Sequence, residues 1–287
     1  MALLKSTKPT PDSGHANAFE PSPLSLRLFT VDKVDMKGSD YPDPYRGGRW
    51  KILIVGSDQQ YLEMANGTYF STGNHPVETL VPMYHMEQAG FGFDVATLSG
   101  NPVKFEHWAM PSKDAAINGL YQRHLGSFDQ PLTLDQVVAE RLGPDSDYIG
   151  VFIPGGHGAL MGLPDSPAMK AVLQWAADQD KFAISLCHGP AAFLALGPDN
   201  PFRGKKICAF SDFVDAHTPR IGYMPGKLTW KFGEKLTAQG FTITNRLTTG
   251  AVCKDGRMLT GDSPLASNAL GQMVGRELLQ YVGGLAN

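Results

Sequence analysis

Short apolar runs of four to six residues recur along the chain, and segments with apolar residues at helical spacing lie between them. Runs of this length, bounded by turn residues, are typical of buried strands. The predicted strands are residues 50–55, 93–97, 148–153, 182–186, 206–210 and 241–244. The predicted helices are residues 76–86, a helix opened by Ser166 and Pro167, and residues 228–239 and 266–281. Strands that alternate with helices predict an α/β fold with a doubly wound, mostly parallel sheet.

Two segments depart from this alternation. Residues 1–48 are rich in Pro, Ser, Asp and Gly, and we predict an extended N-terminal segment that contributes to a cap. Residues 49–287 form the predicted α/β core. Within this core, residues from about 99 to 145 alternate polar helical stretches with loops and lack strand signals. We predict that they form a cap insertion.

The strand at residues 182–186 ends abruptly in Cys187, His188, Gly189 and Pro190. A sharp strand-to-helix turn holds its corner residue in the open and points the following N–H groups at whatever lies beside it. A helix N-terminus also favours a thiolate over a thiol. Cys187 is therefore a candidate nucleophile, and the alternative is a small apolar residue that ends a strand.

A glycine-rich turn, residues 154–158, follows the strand at 148–153. In a parallel sheet the carboxyl ends of strands meet at one edge, so this turn is expected near Cys187. Gly156, His157 and His188 are candidates for an oxyanion hole and for substrate binding. The alternative is a tight turn, and the segment has neither the spacing of a phosphate loop nor that of a dinucleotide site.

His188 is a candidate base, oriented by a carboxylate from residues 211–215, either Asp212 or Asp215. Glu78 lies near the start of a predicted helix and is a further candidate if the fold brings it to Cys187. The alternatives are a histidine that caps a helix and a carboxylate that interacts favourably with a helix N-terminus.

Composition excludes several classes. The net charge of −3 gives no electrostatic reason to bind nucleic acid or an anionic membrane. No apolar run is long enough to span a bilayer, and residues 1–20 lack the apolar segment of a signal peptide, so we expect a cytoplasmic protein. The three cysteines form neither a disulfide framework nor a zinc motif, and Cys208 and Cys253 are expected to be structural.

Residues 152–158 and 184–191 together resemble the ThiJ/PfpI superfamily, whose fold is flavodoxin-like and class I glutamine-amidotransferase-like. Three further motifs, residues 70–76, 221–230 and 259–264, resemble the HchA-type branch of heat-shock chaperones and glyoxalases III. The resemblance extends from about residue 40 to residue 281.

The resemblance implies a catalytic triad of Cys187, His188 and Asp215, with Glu78 beside the cysteine and Asp212 as a second candidate for the acid. It implies a homodimer without a cofactor that converts methylglyoxal, a small dicarbonyl, to D-lactate without glutathione. It also implies ATP-independent holding of unfolded protein clients.

Three other activities stay open: repair of glycated proteins and nucleotides, chaperoning alone, and, less favoured, a cysteine aminopeptidase. A glutaminase of this fold would need a late His-x-Glu pair, and no histidine follows His217.

Some members of this branch bind a metal through two histidines and a glutamate. The corresponding positions here are Glu87, Gly92 and His124. Because glycine offers no side-chain ligand, and two groups seldom hold a structural zinc, we predict no metal at this place.

Overall fold

The structure is a computed structural model that describes residues 6–285. The first five residues of the predicted N-terminal segment and the last two of the predicted core lie outside the described residues. The strands are β1 (Thr10–Pro11), β2 (Ala18–Glu20), β3 (Lys51–Val55), β4 (Tyr61–Glu63), β5 (Tyr69–Ser71), β6 (Gly92–Thr97), β7 (Leu132–Thr133), β8 (Tyr148–Ile153), β9 (Phe182–Leu186), β10 (Lys206–Ile207), β11 (Thr242–Ile243), β12 (Val252–Asp255) and β13 (Met258–Gly261). The α-helices are α1 (Pro23–Phe29), α2 (Pro76–Gln88), α3 (Ala115–Asp129), α4 (Leu134–Glu140), α5 (Pro167–Asp178), α6 (Asp212–His217), α7 (Phe232–Ala238) and α8 (Ser267–Leu285).

A seven-stranded sheet forms the centre of the molecule, in the order β12-β13-β9-β8-β3-β6-β7. Its strands are parallel except β12, which pairs with β13 as an antiparallel hairpin at one edge. The prediction of a doubly wound, mostly parallel sheet is confirmed. The strand β8 is central and β9 lies beside it, so both present their carboxyl ends at the middle of one edge, where such folds place their sites.

Two apolar layers cover the two faces of this sheet. Successive residues of a strand point to opposite faces, and β3 divides its side chains accordingly. Ile52 and Ile54 pack in the layer that contains α2, α3 and α8. Leu53 and Val55 pack in the layer that contains α4, α5 and α7. Burial of both faces explains why the central strands are apolar without alternation.

Residues 99–145 contribute a strand and two helices to the α/β framework. The strand β7 pairs with β6 and extends the central sheet, while α3 packs on α2 and α4 packs on α5. A capping box between Thr133 and Gln136 starts α4, and this helix buries Leu134 and Val137. The apolar positions here are few and widely spaced, so the sequence reads as polar. Only the stretch around Glu106 reaches the candidate site.

The N-terminal segment does approach the candidate site. Its strands β1 and β2 join β5 and β4 in a separate four-stranded sheet, and α1 follows. Leu28, Phe29 and Val31, at the end of α1 and just beyond it, line the cavity described below. The division of the chain into a cap and a core stays a prediction.

The predicted strands at 206–210 and 241–244 are shorter than expected and lie outside the central sheet. Only β10 and β11 form there, as a two-stranded parallel sheet. Beyond them the Asn245 side chain replaces a strand partner, since its amide bonds the N–H of Ala209 at 3.1 Å and the C=O of Ala209 at 2.8 Å. The chain can then turn toward Cys187, where the Phe210 N–H donates to the Cys187 C=O at 2.8 Å.

Among the described residues, no helix is both long enough and apolar enough to cross a membrane.

Candidate active site

Cys187 lies at a strained corner directly after β9. Its φ of +57° is in the left-handed region, which costs a residue other than glycine about 1–3 kcal/mol. Gly189 makes the corner possible, because a Cβ there would lie 2.5 Å from the C=O of Ile153. The segment that follows, Gly189–Asp199, is a 3₁₀ helix broken at Gly197, where an α-helix was expected.

The thiol of Cys187 meets the carboxyl of Glu78 at the start of α2. Cys187 is 4% exposed and Glu78 is fully buried. Gly155 lies between these two side chains. A Cβ at this position would overlap Glu78 Oε2 and lie 2.6 Å from the Cys187 Cβ. Among the described residues, neither Glu78 oxygen has a hydrogen bond of good geometry. The carboxyl is therefore a buried, uncommitted proton acceptor beside the thiol.

The structure also brings His188 and Asp215 to the thiol. The Cys187 Sγ is 3.3 Å from His188 Nδ1, and His188 Nε2 is 2.7 Å from Asp215 Oδ2. If Nε2 carries the proton that it donates to the carboxylate, the lone pair of Nδ1 faces the sulfur. Asp212 is occupied elsewhere, since its oxygens accept from the N–H groups of Gly233 and Glu234 at 3.1 and 2.9 Å. Geometry therefore selects Asp215 over Asp212.

His157 has a place that the sequence did not suggest. Its Nε2 lies 3.1 Å from Asp215 Oδ1, and its ring centre lies 3.8 Å from that of His188. Asp215 therefore holds two histidines, and the side chain of His157 is committed to it. Gly156, with a φ of +103°, contributes its backbone N–H close to both Cys187 and Glu78. The oxyanion role predicted for Gly156 is compatible with this position. Because the His157 side chain is bonded to Asp215, only the backbone N–H of His157 is left for the same role.

The electrostatics of the thiol differ from the expectation. Burial raises the pKa of the Cys187 thiol well above its usual value, and the nearby Glu78 carboxyl raises it further. Burial likewise raises the pKa of Glu78 well above its usual value. Two negative charges are unfavourable in this dry space, so the pair titrates as one unit. The resting site holds a thiol, because desolvation outweighs the helix terminus that was expected to lower this pKa.

The other buried groups have complementary shifts. Burial alone would raise the pKa of Asp215, but the two histidines outweigh it and hold this pKa well below its usual range. Burial lowers the pKa of His157, and the neighbouring His188 lowers it further. Burial also lowers the pKa of His75, to about 3. Asp215 is therefore the fixed anion of the site, while His157 and His75 are neutral at physiological pH.

Glu106 is a site residue that the sequence did not reveal. It is 1% exposed and lines the same cavity, between β6 and α3 in the chain. Its Oε1 accepts from the Thr72 hydroxyl at 2.6 Å, and its Oε2 has no hydrogen-bond partner among the described residues. Burial raises its pKa to about 7. No local signal marks Glu106, because it lies in a polar loop that only the tertiary fold buries.

One cavity of about 450 Å³ lies at the carboxyl ends of the strands, and it is lined by Cys187, His188, His157, Glu78 and Glu106. A larger groove, of about 840 Å³, lies near the amino ends of β9 and β13. Its charged side chains are largely paired with one another, as in Lys205–Asp255 and Lys254–Glu277, and none of the candidate site residues lines it. The smaller cavity is therefore the candidate active site.

Two groups of side chains resemble metal sites. The nitrogen and oxygen atoms of His157, His188 and Asp215 lie within 4.8 Å of one another, but both histidine Nε2 atoms are already bonded to the carboxylate. Glu87 has its two oxygens paired with Arg123 and His124. Both groups are thus stabilised by hydrogen bonds between their own members.

Known proteins share the sequence and the fold of this chain. A model of the DJ-1/PfpI family matches residues 69–275. Relatives from Escherichia coli O157:H7 and Escherichia coli K12, named protein/nucleic acid deglycase HchA, are 53% identical over 285 residues, which is 99% of this chain and 100% of theirs. The structure of glyoxalase III from Candida albicans has a TM-score of 0.62 at 21% identity, covering 79% of this chain and 96% of that one. The Rapid Encystment Protein of Francisella tularensis has a TM-score of 0.64 at 16% identity, covering 80% and 99%. At these identities the two structures show the fold alone.

The raised pKa of Glu106 predicts a pH-dependent stability. Its pKa is about 7 in the folded protein against 4.5 without burial, so its contribution is complete below pH 4.5 and is lost as the pH rises to about 7. Glu106→Gln keeps an acceptor for Thr72 but cannot ionise. We expect this variant to lose about 2 kcal/mol less stability than the wild type between pH 5 and 7.5, by urea unfolding. Glu63→Gln, at an exposed carboxyl, is the matched control, and equal pH slopes in all three proteins would contradict the assignment.

Proposed function

The chain belongs to the DJ-1/PfpI family, and on that premise we propose that it is a cysteine enzyme that converts methylglyoxal to D-lactate without glutathione or another cofactor. One observation carries this proposal: the Cys187 thiol lies between an imidazole nitrogen and a buried, uncommitted carboxyl. Glyoxalase chemistry needs these three groups, a nucleophile for the aldehyde, a base for the thiol proton, and a second base that moves a proton between two carbons.

In the first step the Cys187 sulfur attacks the aldehyde carbon of methylglyoxal. The S–C bond forms while the S–H proton passes to His188 Nδ1, and Asp215 stabilises the imidazolium. The aldehyde oxygen becomes an oxyanion beside the Gly156 N–H and then takes the proton from His188, giving a hemithioacetal. A thiol that is neutral at rest suits this step, because the proton leaves only as the bond forms.

In the second step the carboxylate form of Glu78 removes the proton from the hemithioacetal carbon and returns it to the adjacent carbon. The intermediate is an enediol, and the product is a thioester of lactate on Cys187. Burial raises the pKa of Glu78, which brings a carboxylate closer to the basicity that proton transfer from carbon requires. Glu106, whose pKa is about 7, can supply or accept the proton that moves between the two oxygens.

In the last step water attacks the thioester carbonyl, the C–S bond breaks, and lactate leaves as the thiol is restored. His188 deprotonates the water, and the Gly156 N–H again faces the oxyanion. A side chain of this protein moves every proton in these three steps.

A deglycase is the second candidate, because relatives that are 53% identical over 99% of this chain carry that name. Such an enzyme would accept methylglyoxal already joined to an amine or a thiol of a protein or nucleotide. The same three groups would serve, with the adduct as the electrophile. Glycated proteins and small dicarbonyls are therefore the partners that we propose.

A holdase activity is favoured by the apolar rim of the cavity. Leu28, Phe29, Val31 and Leu265 line its mouth and are 46–71% exposed. Exposed apolar side chains that cluster around one opening are typical of a surface that binds apolar segments of other proteins. The homodimer and the cytoplasmic location rest on the resemblance and on the sequence, and both stay predictions.

We expect Cys187→Ala to abolish lactate formation from methylglyoxal. Loss of the nucleophile removes the covalent path, so the rate should fall by several orders of magnitude. Lactate is measured with a D-lactate-specific dehydrogenase in the absence of glutathione. Cys253→Ala is the matched control and should keep wild-type activity. Near-normal lactate formation by folded Cys187→Ala would refute the mechanism.

A glyoxalase and a deglycase can be distinguished by whether the enzyme consumes free methylglyoxal or methylglyoxal bound in an adduct. The hemithioacetal of methylglyoxal and N-acetylcysteine also dissociates spontaneously. If the enzyme consumes only free methylglyoxal, adduct loss should reach a plateau at the spontaneous dissociation rate as enzyme is added, and this is the outcome that we expect. A rate that keeps rising with enzyme beyond this plateau would assign the deglycase activity instead. Cys187→Ala supplies the uncatalysed rate.

Holdase activity should survive Cys187→Ala, because holding a client depends on apolar area rather than on a thiol. Leu265→Asp, which places a charge on the exposed rim, should reduce it. Both variants are compared with the wild type by light scattering of a heated client protein. If Cys187→Ala is folded but no longer protects the client, the binding surface and the catalytic thiol are one site, and the separate rim is refuted.

A further inference from the structure

Cys208 and Cys253, which the proposed chemistry does not use, lie next to each other. The Cys208 Sγ is 3.3 Å from the hydroxyl of Thr244, and the Cys253 thiol approaches the same hydroxyl closely enough to hydrogen-bond to it. The Cys253 Sγ is also 3.5 Å from the C=O of Lys206, two residues before Cys208. Both sulfur atoms thus lie near the same hydroxyl group.

The strand register leads independently to the same arrangement. Cys253 in β12 is the cross-strand partner of Thr260 in β13, so their side chains lie on the same face of the hairpin. The Thr260 hydroxyl on that face accepts a hydrogen bond of 2.8 Å from the N–H of Cys208. The backbone of Cys208 therefore crosses over the Cys253–Thr260 pair, which is the kind of neighbourhood in which a disulfide can close.

We propose that Cys208 and Cys253 are an oxidation site, at which hydrogen peroxide or a similar peroxide joins the two thiols in a reversible disulfide that lowers the activity at Cys187. The disulfide itself does not depend on the proposed function, whereas the effect on lactate formation rests on it.

The chemistry starts at Cys253, which is partly exposed, whereas Cys208 is buried. The Cys253 thiolate attacks one oxygen of the peroxide, the O–O bond breaks, and a sulfenic acid and hydroxide result. The Cys208 sulfur then attacks the Cys253 sulfur, the S–O bond breaks, and the disulfide forms with release of water. Peroxide takes two electrons from the two thiols, and an external thiol restores them. Burial raises the pKa of Cys253, the Thr244 hydrogen bond opposes this rise, and the charges of Asp255 and Lys206 act in opposite directions.

Two residues connect the disulfide with the candidate active site. The Phe210 N–H holds the Cys187 C=O at 2.8 Å, and the Phe210 ring stacks on the His188 ring with centres 4.6 Å apart. A disulfide requires the two Cβ atoms to approach to about 3.5–4.5 Å and pulls Cys208 toward β12. Because Phe210 follows Cys208 by two residues, this movement displaces the aromatic support of His188.

The experiment treats the full-length protein with hydrogen peroxide, at a dose that leaves the Cys187 peptide unmodified. Free thiols are then blocked with iodoacetamide, and peptides are analysed by mass spectrometry without reduction. We expect a linked Cys208–Cys253 peptide, lighter by two hydrogen atoms than the separate peptides, in the wild type and in Cys187→Ser. Lactate formation by the wild type should fall by about tenfold, since a displacement of about 1 Å can cost 10²-fold, and dithiothreitol should restore it.

Cys253→Ser is the matched control, because it replaces only the partly exposed thiol and should keep the basal activity. It should form no linked peptide and should keep its activity after the same treatment. Absence of the linked peptide in the wild type would refute the site. An equal loss of activity in Cys253→Ser, or no loss in the wild type, would refute the effect on Cys187. If the wild type makes no lactate before oxidation, the proposed function fails. The rate of Cys187 alkylation then reports whether the disulfide alters the site. An alkylation rate that oxidation leaves unchanged refutes the effect on Cys187.

Discussion

The buried thiol of Cys187 contacts the buried carboxyl of Glu78 beside Gly155, and the rest of the site is arranged around this contact. Any side chain at position 155 would overlap Glu78 and crowd Cys187. The contact places two ionisable groups in a space where neither easily carries a charge, and burial raises the pKa of both. The pair therefore carries at most one negative charge, and the thiol releases its proton only when a substrate gives the charge a new place.

Asp215 carries the fixed negative charge of the site. It is the buried group that keeps its negative charge at physiological pH, and it does so because two histidines donate to it. One of them, His188, turns its other nitrogen toward the thiol, and the other, His157, stacks on the first. His157 thus acts as a positioning residue: it occupies the second oxygen of Asp215 and supports the His188 ring from one side. Phe210 stacks on the same ring as a further support.

The position of Phe210 also connects the site with the edge of the molecule. The chain leaves the small β10–β11 sheet early because Asn245 bonds the backbone of Ala209. This departure brings Phe210 to His188 and leaves Cys208 over the β12–β13 hairpin, beside Cys253. The two cysteines that look like ordinary apolar residues in the sequence are thereby placed beside the segment that supports the His188 ring.

The sequence by itself determined the alternation of strands and helices along the chain and the sharp turn at Cys187. These depend on local signals: apolar runs of strand length, and Ser166 and Pro167 at a helix start. Glu78 and Asp215 became candidates through position and resemblance, since nothing local indicates that α2 and α6 point them at one thiol.

Only the tertiary structure decided which carboxylate orients His188, how His157 is used and where Glu106 lies. Asp212 and Asp215 are three residues apart and chemically alike, and they differ only in what the fold places beside them, the start of α7 in one case and two imidazoles in the other. The direction of the Cys187 pKa shift was also beyond local reasoning. A helix terminus can be read from neighbouring residues, whereas desolvation depends on how many distant segments close over a group.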